Sequence, residues 1–129
     1  MIRIAILSLI LAFSCHYLSP TEINFISDSD LIEMQEIEYI LLDVRTPDEF
    51  SSGFIKKAKN LDFYSETFQN DLLSIDKSLP VVLYCRTNNR STKTANLLNK
   101  NGFKDISVIE GGITDWVKNG NDIVYPKLD

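Results

Sequence analysis

The sequence predicts an α/β fold, a three-layer α/β/α domain with a mostly parallel central sheet. Two nearly continuous apolar runs, at residues 39–44 and 81–84, have the length of strands that are buried on both faces. Helical patterns follow both runs, as the crossover connections of a parallel sheet require. The 129 residues, 44% hydrophobic and 24% charged, suit one folded domain and are unlike a disordered or low-complexity chain.

The first half of this domain contains three predicted helices and two predicted strands. Thr46-Pro47-Asp48-Glu49 is a capping box with proline at the first helical position, so a helix starts there and ends at Gly53. Farther along, Phe68, Leu72 and Ile75 share one face of a helix. The predicted elements are helices over 28–38, 46–53 and 65–75 and strands over 39–44 and 58–61.

The second half continues the same alternation. Pro80 precedes the strand at 81–84, which leads directly into Cys85. Residues 91–101 have an apolar inner side and are followed by Gly102, a helix terminator. A fourth strand over 106–109, a glycine turn at 111–112 and a short helix over 113–118 complete the predicted elements.

Residues 1–14 predict a secretory signal peptide, because Arg3 precedes an apolar run that is too short to span a bilayer. Cys15 directly follows this segment, as in the lipidation site of bacterial lipoproteins, and we expect it to carry lipid. A plain signal peptide with an incidental cysteine is the alternative. The chain then divides into the signal peptide 1–14, a mature N-terminal segment 15–25 and a folded domain 26–129. We expect an exported protein, in the periplasm or anchored to a membrane of the bacterial cell envelope.

Charge and composition restrict the partners. Thirteen Lys and Arg against eighteen Asp and Glu give a net charge of −5 without a basic run, so the chain is a poor partner for nucleic acid. Two cysteines and one histidine do not supply the ligands of an ordinary zinc site, so no metal is expected. Membrane contact is expected only through a lipid on Cys15.

One loop concentrates the chemistry. Residues 85–91 (CRTNNRS) lie between a buried strand and the start of a helix, where open α/β sheets bind ligands. Successive backbone N–H groups and the positive end of the helix dipole favour an anion there. We therefore expect the Cys85 sulfur to be stabilised as a nucleophilic thiolate. Arg86 and Arg90 suit an oxyanion such as a sulfonate or a phosphate.

Two structural interpretations of Cys85 stay open at this point. The residue could be buried and inert beside two solvated arginines, or joined to Cys15 by a disulfide in an oxidising compartment. If Cys15 carries lipid, Cys85 has no disulfide partner in the chain. A lone thiol in an exported protein indicates reactivity.

Residues 85–91 resemble the active-site loop of the rhodanese-like family, the thiosulfate sulfurtransferases, whose common form is C-R-x-G-x-R-S. Asn88 replaces the usual glycine, and because asparagine tolerates positive φ, we expect the turn to be retained. Residues 42–50 resemble the family's D-x-R-x-x-x-E-[FY] segment, and residues 53–55 resemble G-H-I with Phe54 for the histidine. Residues 110–113 with Trp116 resemble the closing E-G-G-[IL]-x-x-W motif, so the match covers roughly residues 26–124.

The resemblance implies the rhodanese-like fold and a sulfurtransferase that works through a persulfide on the catalytic Cys85, with no metal or organic cofactor. The enzyme would move sulfane sulfur from thiosulfate or a similar donor to a thiol or to cyanide. Arg86 and Arg90 would hold the departing sulfonate, and the loop N–H groups would stabilise the persulfide. The expected partners are the small sulfur donor, the thiol or cyanide acceptor and a redox protein. The substrate-binding residues are Arg86, Thr87, Asn88, Asn89, Arg90 and Ser91.

Two alternative functions remain. Rhodanese-like domains also serve as sulfur carriers or protein-binding modules without turnover, and phosphatases or arsenate reductases provide a second alternative. Four residues separate Cys85 from Arg90, whereas the phosphatases that share the fold have one more. The tighter loop favours a single sulfur atom over a tetrahedral phosphate.

Asp43 and Arg45 are expected to support the loop from a neighbouring strand. Asp43 would orient Arg90 or cap a loop amide, and a salt bridge at the start of the next helix is the alternative role of this pair. Asp48 and Glu49 are interpreted as helix N-terminal charges rather than as acid–base catalysts. Trp116 is expected to pack the last helix onto the sheet, with a place at the mouth of the site as the alternative.

Overall fold

The computed structural model of the protein describes residues 21–127. Five strands form the sheet: β1 (Asn24–Ile26), β2 (Ile40–Asp43), β3 (Lys59–Asn60), β4 (Val81–Tyr84) and β5 (Ile106–Ile109). The helices are α1 (Asp28–Glu33), α2 (Pro47–Ser51), α3 (Phe68–Leu73), α4 (Asn89–Lys100) and α5 (Gly112–Lys118). All pairings between the strands are parallel, in the order β1-β5-β4-β2-β3. The predicted α/β class with a parallel central sheet is confirmed.

Helices cover both faces of the sheet and produce the three layers. Val81 and Leu83 of β4 pack in a core cluster that includes side chains of α3 and α4. The alternate residues Val82 and Tyr84 pack on the other face, in a cluster that includes side chains of α1 and α5. Because side chains alternate along a strand, the continuous apolar run of β4 fills both clusters at once.

Capping residues fix the starts of α1 and α2. Ser27 and Asp30 form a capping box at α1, and Thr46 and Glu49 form a second one at α2. In the second box, the Glu49 carboxylate accepts from the Thr46 N–H at 2.9 Å. The sequence predicts the start of α2 because this pattern is local and does not depend on tertiary contacts.

Element boundaries differ from the prediction where the local signals are weak. The predicted helix over 28–38 is α1 followed by one 3₁₀ turn, Met34–Glu36, and α3 starts at Phe68 rather than at residue 65. Helix α4 starts at Asn89, two residues before the predicted start. The sequence does not predict β1, because this edge strand has only three residues and is defined by its pairing with β5.

Within residues 21–127, none of the helices is long and apolar enough to cross a membrane. The signal peptide predicted over 1–14 and Cys15 lie outside the described residues. Most of the expected N-terminal segment 15–25 lies outside them as well. These assignments therefore stay predictions.

Candidate active site

Cys85 lies at the carboxyl end of β4, the central strand of the sheet. Its side chain belongs to the core cluster on the α3 and α4 side, and the residue is only 1% exposed. The Sγ atom lies 3.3 Å from Oγ of Ser91, a buried residue in the first turn of α4. Because the sulfur is so deeply placed, a reactant has to bring a small terminal atom to it.

The first turn of α5 holds the carbonyl groups of the cysteine loop. The N–H of Ile113 donates to the Cys85 carbonyl at 3.0 Å. The N–H and Oγ1 of Thr114 donate to the Arg86 carbonyl at 3.1 and 2.8 Å. The carbonyl and N–H of one trans peptide point in opposite directions, so the N–H groups of Arg86 and Thr87 point away from α5. They face the cleft side of the loop.

Among residues 21–127, no protein acceptor receives a hydrogen bond from the N–H groups of residues 86–91. Those of Asn89, Arg90 and Ser91 are the first N–H groups of the twelve-residue helix α4, where the helix dipole adds positive potential. A ring of such donors stabilises negative charge on a sulfur atom at its centre, or on a second sulfur bonded to it.

Asn88 holds the loop in a different way from the one we expected. Its φ is −133° and its ψ is −12°, so the loop does not use the positive φ that asparagine tolerates. The side-chain Oδ1 instead accepts from the N–H of Gly111 at 3.0 Å. The residue that replaces the family's glycine therefore joins the loop to the glycine turn before α5.

Glu49 of α2 binds the guanidinium of Arg90. Nη1 and Nη2 of Arg90 donate to Oε2 and Oε1 of Glu49 at 2.7 and 2.8 Å. These hydrogen bonds lower the pKa of Glu49 to about 2 and raise the pKa of Arg90. The Arg90 guanidinium also lies 5.7 Å from the centre of the exposed Tyr64 ring. Glu49 is thus both the expected helix N-terminal charge and a ligand of the loop arginine.

Arg86 is the exposed cation of the site. Its side chain forms no salt bridge with any residue of the described range, where the two salt bridges belong to Arg45 and Arg90. A cleft of about 480 Å³ opens beside it and reaches Cys85. The cleft is lined by Thr46, Glu49, Tyr64, Cys85, Arg86, Thr87, Asn89 and Arg90.

Asp43 and Arg45 form a buried ion pair next to the loop. Nε and Nη2 of Arg45 donate to the Asp43 carboxylate at 2.6 to 3.0 Å. The remaining guanidinium bonds run to the carbonyls of Glu49 (3.1 Å) and Gly53 (2.7 Å) in and after α2. Asp43 therefore orients Arg45 and not Arg90, and the pair reaches the site indirectly, by holding the helix that carries Glu49.

Of the predicted loop residues, the structure places Arg86, Thr87, Asn89, Arg90 and Ser91 beside Cys85, whereas the side chain of Asn88 binds Gly111. Trp116 lies elsewhere: it is 7% exposed in the core on the α1 and α5 side, and its Nε1 donates to the Asp122 carbonyl. Packing is therefore its role. The partnership of Glu49 with Arg90 and the position of Tyr64 were not predicted from the sequence. The glutamate of the D-x-R-x-x-x-E segment was a usable signal, whereas an exposed aromatic residue in a loop was not.

Comparisons with known proteins agree with this fold. A family model described as the rhodanese-like domain matches residues 27–119. A sulfurtransferase of Allochromatium vinosum is 32% identical over 90 residues, which cover 70% of this chain and 82% of that protein. The uncharacterized protein YqhL of Bacillus subtilis is 38% identical over 76 residues, and the match spans 59% of each chain.

Among solved structures, a rhodanese-related protein from Thermoplasma volcanium superimposes with a TM-score of 0.71 at 27% identity. The superposition covers 80% of this chain and 99% of that one. The family model spans well over half of the residues, and the solved structure has the same architecture. The chain therefore belongs to the rhodanese-like domain family.

Proposed function

We propose that this protein is a sulfurtransferase that moves sulfane sulfur from thiosulfate, or a similar donor, to a thiol or cyanide through a persulfide on Cys85. The observation that carries the proposal is a buried cysteine sulfur that lines a cleft and is followed by six residues, 86–91, whose N–H groups donate to no acceptor among residues 21–127. Unused donors of this kind suit a reaction in which negative charge stays on sulfur throughout.

In the first step, the Cys85 thiolate attacks the outer sulfur of thiosulfate. The new S–S bond forms as the bond between the outer sulfur and the sulfonate breaks, and sulfite leaves with the bonding electron pair. The products are the Cys85 persulfide anion and sulfite, so charge is conserved and no proton is needed. The loop N–H groups stabilise the terminal sulfur of the persulfide, and each well-placed donor contributes roughly 3 kcal/mol.

In the second step, an acceptor removes the terminal sulfur. Cyanide attacks that sulfur to give thiocyanate, or a thiolate attacks it to give its own persulfide. In either case the bond to Cys85 breaks and the Cys85 thiolate is regenerated. Neither step needs a metal or an organic cofactor.

Arg86 is the residue that receives the sulfonate in this mechanism. Both terminal nitrogens of Arg90 donate to Glu49, whereas Arg86 is exposed at the cleft and has no ionic partner among residues 21–127. A guanidinium binds an oxyanion through parallel N–H groups. Arg90 contributes by fixing the first turn of α4 against α2.

Intact mass tests the proposal directly. Purified protein is incubated with thiosulfate beside a Cys85→Ser control, and we expect a gain of one sulfur atom on the parent protein alone. Release of sulfite and thiocyanate over many cycles with cyanide then establishes turnover. A persulfide that forms but is not turned over assigns the protein as a sulfur carrier instead. Hydrolysis of phosphate esters without a mass gain would overturn the proposal in favour of phosphatase chemistry.

The N-terminal assignments are part of the proposal. The apolar segment before Cys15 supports export and lipid attachment, which would place the domain in the bacterial cell envelope. Stable anchoring generally takes more than one acyl chain, so loss of a multiply acylated cysteine gives a clear shift. Cys15→Ala should move the protein from the membrane fraction to the soluble fraction, and unchanged partitioning would refute lipidation.

A further inference from the structure

A second cavity, of about 450 Å³, adjoins the cleft above Cys85. The two cavities share Glu49 and Arg86 in their linings, so a molecule in the second cavity lies beside the approach to the sulfur. The mechanism proposed above uses only the first cavity. The second has a different chemical character.

The wall formed by α5 is mostly apolar, because the hydroxyl of Thr114, the polar residue that α5 adds to the lining, donates to the Arg86 carbonyl. Ile113 and Val117 are four residues apart, on one face of the helix, and both line the cavity. Ile123, from the segment after α5, adds a third aliphatic side chain to the lining. Val117 is 50% exposed, so this apolar surface is open to a ligand. A reactant with an apolar part would bury that surface.

The cavity walls are fixed in place. Phe54 and Val124 exchange two backbone hydrogen bonds of 2.9 Å, which hold the segment of Ile123 against the end of α2. Gly53 allows this approach, since an added Cβ would lie 2.5 Å from Cδ1 of Ile123. A preformed cavity binds a ligand at a lower entropic cost than one that must be assembled.

The charges around the cavity favour a neutral occupant. Arg45 is paired with Asp43, and Glu49 is paired with Arg90. Arg86 is the remaining ionised side chain of the lining, and it stands at the junction with the cleft. Away from Arg86, the lining thus consists of aliphatic side chains with Ser52, Gly53 and Thr114, and it carries no unpaired charge.

We infer that the second cavity holds the body of the sulfur acceptor, and that this acceptor is a small thiol with a neutral apolar group. The inference rests on the proposed function. The thiolate reaches past Arg86 and attacks the terminal sulfur of the Cys85 persulfide. The acceptor becomes a persulfide as the S–S bond to Cys85 breaks and the Cys85 thiolate leaves. Cyanide has no such body and uses the cleft alone.

A matched pair of acceptors tests this inference. The Cys85 persulfide is formed with thiosulfate, and its loss to 2-phenylethanethiol or 2-mercaptoethanol is followed by intact mass, with rates corrected for the thiolate fraction. The two thiols share a two-carbon spacer and differ in a phenyl or a hydroxyl group. We expect the phenyl compound to react at least tenfold faster.

Substitutions at Val117 test whether the preference for the phenyl compound arises in the second cavity. Val117→Glu should reduce the ratio of the two rates at least fivefold, and Val117→Thr, which keeps the volume, should reduce it less. Lys118→Gln makes the same change in net charge next to the cavity and should leave the ratio unaltered. Thermal melts of all three variants confirm folding.

The outcomes separate the two proposals. Equal rates for the two thiols, or a preference that persists in Val117→Glu, would overturn the acceptor assignment while leaving the sulfurtransferase proposal intact. Failure of the parent protein to gain sulfur from thiosulfate would overturn both proposals, because no persulfide would be available to the acceptor.

Discussion

Replacing Gly112 by alanine tests whether α5 shapes the cysteine loop. Gly112 is the first residue of α5 and has a φ of +56°, in the left-handed region. An added Cβ would lie 2.5 Å from the Cys85 carbonyl oxygen and 2.7 Å from that of Arg86, and closer still to that of Thr87. These atoms are backbone, so a rotamer change cannot relieve the overlap.

Two contributions set the expected loss of stability. A non-glycine residue in the left-handed region costs about 1–2 kcal/mol. Forcing an extra carbon into a closely packed position costs about 1–3 kcal/mol. We therefore expect Gly112→Ala to lower the free energy of unfolding by about 2–5 kcal/mol, and to slow persulfide formation because the loop carbonyls have to move.

Gly120→Ala is the matched control. Gly120 also has a positive φ, of +82°, but an added Cβ there has no heavy atom within 4 Å. The control should lose only the backbone contribution of about 1–2 kcal/mol. Urea unfolding of both variants gives the difference. Equal losses for the two substitutions would refute the claim that α5 presses on the loop.

Three further substitutions address the charged groups. Glu49 has a pKa of about 2 in the fold against 4.5 ordinarily, so its pair with Arg90 stabilises the fold above pH 4.5 and loses this effect as the pH falls toward 2. The shift corresponds to at most about 3 kcal/mol, and to about 1–2 kcal/mol after allowance for solvent screening of this 30% exposed side chain. Urea unfolding of Glu49→Gln beside the parent should show a difference that shrinks between pH 5 and 2, and a constant difference would contradict the pairing. Asp43→Asn leaves buried Arg45 without a counter-charge and should lower the free energy of unfolding by about 3–5 kcal/mol, so a urea measurement below about 1 kcal/mol would contradict the buried pair. Arg86→Gln should raise the KM for thiosulfate about 10- to 100-fold in steady-state assays with an unchanged melting temperature, and an unchanged KM would remove the sulfonate contact.

Local patterns made much of the fold predictable. The run at 81–84 is long, apolar and followed by a helix start, so strand β4 and the loop after it follow from the sequence. The capping box of Thr46 and Glu49 sets the start of α2 in the same way. The position of Cys85 at the carboxyl end of a buried strand then follows from the geometry of parallel sheets.

Contacts between segments that are distant in the chain could not be predicted from the sequence. Arg90 meets Glu49 across 41 residues, and Asn88 meets Gly111 across 23. No periodicity or propensity encodes such pairings, because they depend on the strand order of the whole sheet. The resemblance to a family identified the loop residues, yet it did not show that one of the two arginines is already engaged.

The hydrogen bonds from Ile113 and Thr114 to the cysteine loop also have a consequence for biosynthesis. A nascent chain that has been synthesised only as far as Gly111 already contains the thiol. It lacks α5, the helix that binds the carbonyl groups of the cysteine loop. Until the ribosome delivers that helix, the carbonyls of Cys85 and Arg86 lack the donors that hold them in the complete domain. The final shape of the cysteine loop is therefore among the last features that synthesis of the chain makes possible.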